Sequence, residues 1–183
     1  MDYTSVKKHL ANYSILGKRK STVSHAFASA LAPADEYEES AVFSKLLALG
    51  QGDLDHLHCV YCGELAETWD HLVNLVLEGN LQGYGHQLGN LVPCCKTCNS
   101  VKGKKTYEEF VNNHLIACEE WKKLLVARLS RHIGSAKSID AAMTHLKPQS
   151  AKAFTRFKKL RLEVFNLMKE ADECIALVKR NKK

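Results

Sequence analysis

Apolar residues in the first fifty positions recur at helical rather than strand spacing. Val6, Leu10, Tyr13 and Ile15 are loosely placed before an interruption at Gly17-Lys18-Arg19-Lys20. Ser21 follows as a suitable N-cap, which predicts a second helix from Thr22 to Leu31. Pro33 suits the first turn of a third helix, with Tyr37, Val42, Leu46 and Leu49 on its apolar face and Gly50 as its stop. From Gln51 to Lys105 the helical period fades and most of the glycines gather. Short strands are predicted around His58-Cys59-Val60-Tyr61 and Thr68-Trp69-Asp70-His71-Leu72-Val73, where aromatic and β-branched residues concentrate. The glycine-dense stretch Glu78 to Gly89 reads as an exposed loop.

Helical spacing returns after Lys105. Thr106 with Glu109 makes a capping-box signature, and Phe110, Val111, His114, Leu115 and Cys118 follow on one stripe. Further helices fit Trp121 to Ile133, Ile139 to Leu146, and Ala151 to Val178. The last of these carries too many apolar residues for a free surface helix, so it is expected to bury one side against the body of the protein or a second subunit, as in a homodimer. The expected class is α+β and mainly helical. It divides into an N-terminal helical region (1–52), a central core (53–118) and a C-terminal basic helical region (119–183) for DNA binding or dimerisation.

The composition, 45% hydrophobic and 25% charged, belongs to a folded globular chain rather than a disordered one. No apolar run reaches membrane-spanning length and no signal-peptide pattern opens the chain, so a cytoplasmic protein without membrane association is expected. The formal charge of +6 is uneven: residues 119–183 hold +9, while the remainder is slightly acidic. Such a basic region suits a polyanion, although solvated faces of long helices produce the same pattern.

Seven cysteines, an odd number, argue against a disulfide framework in a reducing compartment and favour metal binding. Cys59-Val-Tyr-Cys62-Gly63 and Cys95-Lys-Thr-Cys98-Asn99 are two CxxC knuckles. Together they offer four soft ligands to a tetrahedral zinc ion, with Cys94 an alternative to Cys95 at a less usual spacing. Four thiolates leave no open position, so this zinc would be structural. Cys118 and Cys174 lie on apolar stripes and read as core residues.

Asp70-His71 lies between the knuckles, as does Asn90, and Asn99 follows directly after the last cysteine. An acidic side chain, an imidazole and carboxamides gathered by one cross-link suit metal-assisted hydrolysis, because carboxylate and amide oxygens are hard ligands and a neutral imidazole can deprotonate water.

These residues, CxxCG, then DH, then GNLVPxCxxCNxxKG, resemble the HNH endonucleases in their zinc-containing ββα-metal form, over roughly residues 56–110. The resemblance implies a metal-dependent hydrolase acting on double-stranded DNA, with His71 as general base and Asp70 and Asn99 as ligands of a catalytic Mg²⁺ or similar ion. It further implies that Asn90 supports the base through backbone hydrogen bonds, and places Lys96, Lys102, Lys104 and Lys105 along the phosphate backbone. The chain departs from the family pattern at Asn74, where proline is frequent, and at Asn99, where histidine is frequent. His86, the second histidine near this segment, reads as a solvated loop residue. A restriction-type enzyme is the expectation, with a phage or mobile-element nuclease as its nearest rival. A zinc-ribbon module that binds nucleic acid without cutting it, and a protein using zinc only to fold, are the readings from other classes.

Overall fold

The computed structural model describes residues 3–32, 34–77, 80–82, 84–138 and 147–180. It is α+β and mostly helical, with a small antiparallel sheet. Pro33 and the helix expected over Ile139 to Leu146 lie outside the described residues.

Two compact units divide the chain, one formed by Met1–Phe27 with Leu146–Lys183 and the other by Ala28–His145. This differs from the three consecutive segments expected, since the two ends of the sequence belong to one unit.

In the terminal unit, α1 covers Lys7–Leu10 and α2 starts at Ile15, running through the supposed break to Leu31. The reason is a cap supplied from far along the sequence. Asp172 accepts from the backbone N–H of Ile15 (2.6 Å) and Leu16 (3.1 Å) and from the Ser14 hydroxyl (2.8 Å), satisfying orphan donors at the start of α2, so Ser21 lies inside the helix and is not its cap. Phe27 packs on Phe157 with ring centroids 5.0 Å apart. The long helix, α7 (Pro148–Arg180), has no buried residue among those described, and Leu160, Leu162, Leu167, Leu177 and Val178 are exposed. Cys174, expected in a core, is exposed too.

In the central unit α3 spans Glu39–Ala48, capped by Glu38, whose carboxylate accepts from the N–H groups of Ser40 and Ala41. Tyr37 precedes the helix and is 82% exposed rather than on its apolar face. The sheet pairs β1 (Thr68–His71) with β4 (Leu91–Cys94) in antiparallel register, Asp70 opposite Val92 and His71 opposite Leu91. A minor hairpin joins β2 (Val76–Leu77) to β3 (Asn80–Leu81). Pro93 is tolerated within β4 because each strand of a two-stranded sheet is an edge. The segment 58–61 is a turn rather than a strand, with an isolated bridge between His58 and Leu65.

α4 (Lys96–Lys102) follows β4 and packs against β1. Then α5 (Tyr107–His114), capped by Thr106 accepting from Glu109 N–H as its signature predicts, packs on α6 (Glu119–Ile133). Tyr61, Leu72, Val92, Phe110, Val111, Leu125 and Leu129 form the core, with Tyr61 edge-on to Phe110. Cys118 lies outside that core, exposed at the start of α6, because the stripe it was placed on ends with α5. No helix among the described residues is long and apolar enough to cross a membrane.

Candidate metal centre and active site

Each knuckle is shaped by its own residues. In the first, Gly63 takes φ +79° and donates its N–H to the Cys59 carbonyl, while Cys59 N–H donates to Glu64. The Gln51 side chain braces this turn by bonding both backbone groups of His58, at 2.7 and 3.0 Å. In the second, Cys95 is the N-cap of α4 and its sulfur accepts from Cys98 N–H. The sulfurs of Cys59, Cys62, Cys95 and Cys98 all lie within 4.8 Å of one another, and those of Cys62 and Cys95 are 3.7 Å apart. Zinc–sulfur bonds of about 2.3 Å in a tetrahedron require sulfurs roughly 3.8 Å apart, so these four cysteines could hold a metal ion of that kind. Cys95, not Cys94, completes the set. Cys94 is buried at the end of β4 with its sulfur 3.9 Å from that of Cys59. Contact with the Cys94 thiol holds the Cys59 thiol down at about 4, and burial pushes Cys62 and Cys98 up. A dication in the cluster would favour the thiolate of every ligand.

The residues expected to do chemistry fall into two environments. Asp70 is 5% exposed. Its carboxylate accepts from the Tyr61 hydroxyl at 2.8 Å and pairs with the Lys102 ammonium at 3.1 Å. Burial pushes the Asp70 carboxyl up, against the opposing pull of Lys102 and Tyr61, and burial likewise raises the Tyr61 phenol well above its ordinary range. Lys102, expected on the DNA backbone, is instead fully buried and also donates to the His71 carbonyl at 2.8 Å. The correction has a simple origin. Lys102 lies four residues after buried Cys98 on α4, so helix geometry turns both inward. A buried ammonium beside a buried carboxylate then neutralises it.

His71 is half-buried at the end of β1. Burial is the main cause that lowers its imidazole to about 4, with His86 and Lys102 adding to the effect, so the ring is neutral at physiological pH. Its Nε2 lies 3.1 Å from Nδ1 of His86. Of the stretch Glu78 to Gly89, expected as an exposed loop, Glu78, Gly79 and Gly83 lie outside the described residues, Asn80–Leu81 form β3, and Gly85, Gln87 and Gly89 are buried while His86 is exposed. At Gly89 a side chain would collide with Ser135, Ala136 N and His132 O.

Asn90 is fully buried. Its side chain accepts from Val73 N–H (2.8 Å) and donates to the carbonyls of Val73 and Gly85 (both 3.0 Å), and its own carbonyl accepts from Leu72 N–H. Asn99 is half-buried on α4, three residues before Lys102. Of the remaining lysines, Lys96 pairs with Glu67 at 2.7 Å, Lys105 donates to the Val101 carbonyl at 2.6 Å, and Lys104 is exposed.

Two further residues, Tyr61 and His132, belong to this arrangement. Tyr61, inside the first knuckle, carries no spacing signal. His132 on α6 is buried, with Nε2 donating to the Leu91 carbonyl at 3.0 Å and its imidazole lowered by burial. It supports β4 from behind. Comparison with known proteins yields no match to a family model, a curated protein or a solved structure, so the functional reading rests on this geometry and on the motif resemblance.

Proposed function

We propose that this chain is a zinc-stapled, metal-dependent DNA endonuclease of the HNH type. The observation that carries the reading is the convergence of four cysteine sulfurs beside an antiparallel strand pair and a helix, with the strand bearing Asp70 and His71 and the helix bearing Asn99. The cluster holds the first knuckle to the start of α4. That fixes α4 against β1, which a glycine-rich segment with a small core could not secure alone.

In this reading His71 is the general base. A neutral imidazole takes a proton from water as the water oxygen bonds to phosphorus and the P–O3′ bond breaks, a contribution of about 10²–10⁴ in rate. The 5′-phosphate stays on one fragment, and the 3′ oxygen leaves with the electrons of the P–O3′ bond and takes a proton from solvent water to become a hydroxyl. Asp70 and Asn99 supply the hard oxygen donors that a divalent ion prefers, and such an ion would stabilise charge on the phosphate and leaving oxygen. Both Asp70 oxygens are engaged by Tyr61 and Lys102, so an ion at Asp70 would have to displace the Lys102 ammonium. Asn90 holds the backbone on which His71 sits. Lys104 and the excess of Lys and Arg over residues 119–183 supply the cations through which double-stranded DNA is held.

Plasmid cleavage tests this directly. The purified protein, incubated with unmodified and modified DNA plus Mg²⁺ or Mn²⁺, should yield fragments with 5′-phosphate ends, and H71A should not. Discrete sites support a restriction-type enzyme and scattered nicks a mobile-element or phage nuclease. Absence of cutting with retained binding would replace the reading by a zinc-ribbon binding module.

A further inference from the structure

The nitrogens His71 Nε2 and His86 Nδ1 stand 3.1 Å apart, with ring centroids at 5.1 Å and planes 63° from parallel. At that separation one nitrogen donates its hydrogen and the other accepts. The placement is built in. Gly85, at φ +63°, offers its carbonyl to Asn90 Nδ2, while the Gln87 carboxamide bonds both the N–H (3.0 Å) and the carbonyl (2.7 Å) of Lys137. The residues on either side of His86 are thus buried and anchored. The same Asn90 side chain grips Val73, two residues beyond His71. One buried carboxamide therefore sets the spacing between the backbones that carry the two rings.

We propose that His86 is a positioning residue for His71, accepting its Nε2–H so that the ring is held in one orientation and one tautomer with Nδ1 bearing the free lone pair. The polarity rests on the general-base reading above. If His86 donated instead, the proton of neutral His71 would sit on Nδ1 and no lone pair would be left for water. His71 makes no other side-chain hydrogen bond among the described residues that would fix its ring.

The test uses the full-length, zinc-loaded protein as wild type, H86A, H86N and H71A. Long-range proton–nitrogen spectra of the histidine rings, with His71 signals identified by their loss in H71A, should show Nε2 protonated and Nδ1 bare in the wild type. In H86A the hydrogen-bonded Nε2 proton should disappear through exchange with solvent. Single-turnover cleavage should fall roughly ten- to a hundredfold in H86A at unchanged DNA affinity. H86N, whose carboxamide oxygen accepts where Nδ1 did, should recover most of it. A proton on Nδ1 of His71, or an H86A variant with unaltered ring signals and cutting rate, overturns the proposal. If the wild type cuts no DNA the nuclease reading fails, whereas the ring spectra of wild type and H86A still decide the pairing.

Discussion

The Lys102 ammonium lies 3.1 Å from the Asp70 carboxylate, and neither group reaches solvent to any useful extent. Lys102 also bonds the His71 carbonyl, so one cation ties α4 to the two adjacent β1 residues on which the proposed chemistry depends. Removing either partner strands the other charge in the core.

K102M is accordingly expected to cost about 3–5 kcal/mol of unfolding free energy. Combining it with D70N should cost less than the two single changes added together, because no lone charge remains. Urea titrations of the four proteins measure the coupling, and strict additivity would contradict a direct pair.

The sulfur cluster makes its own prediction. C59S or C98S should release a bound zinc ion and lower the melting temperature sharply, since such ions contribute on the order of 10 kcal/mol to folding. C118S and C174S, on exposed positions, should change neither metal content nor melting. Elemental analysis beside a thermal scan provides the comparison.

At Asn90 the expected loss is structural and catalytic together. N90A leaves the Val73 N–H and the carbonyls of Val73 and Gly85 without their partner, at a cost of about 1–3 kcal/mol per buried group left unsatisfied. Cleavage should fall by more than the folded fraction does, because both histidine-bearing segments move. Circular dichroism and cutting rate on the same sample separate the two effects.

Acid should weaken the fold in a defined window. The His71 imidazole has an ordinary value of 6.5 and is lowered to about 4 by burial. Between these values the unfolded chain binds a proton that the folded ring refuses, so stability falls as pH drops from about 6.5 toward about 4. His132 is lowered in the same direction. Melting temperatures should decline across that interval, and H71F should flatten the decline. Cleavage should show no inflection near 6.5 if His71 is the base.

N99A should shift the divalent-ion titration of cleavage to higher concentration while leaving zinc content untouched. An unaltered magnesium curve would remove Asn99 from the ligand set.

Much of this molecule follows from local chemistry that a reader of the sequence can recover. Two CxxC knuckles place four thiols by short-range turn geometry, Gly63 because only a glycine adopts its φ readily, and Thr106 caps α5 through a residue three positions on. Asn99 directly follows Cys98 and Asn90 lies five positions before Cys95, so they are legible beside the second knuckle, while the Asp70-His71 pair is legible as a dipeptide between the two knuckles.

What tertiary structure alone decided concerns partners distant along the chain. Asp172 caps a helix that begins at Ile15, about 157 positions earlier, so the glycine and lysine run at 17–20 is not a break. Lys102 faces inward to Asp70, 32 positions away, although its charge suggested a surface role. His86 meets His71 because Asn90 joins their backbones. Sequence fixes which groups are present and how close neighbours turn; burial and long-range pairing, which set charge, tautomer and access, exist only once the chain has folded on itself.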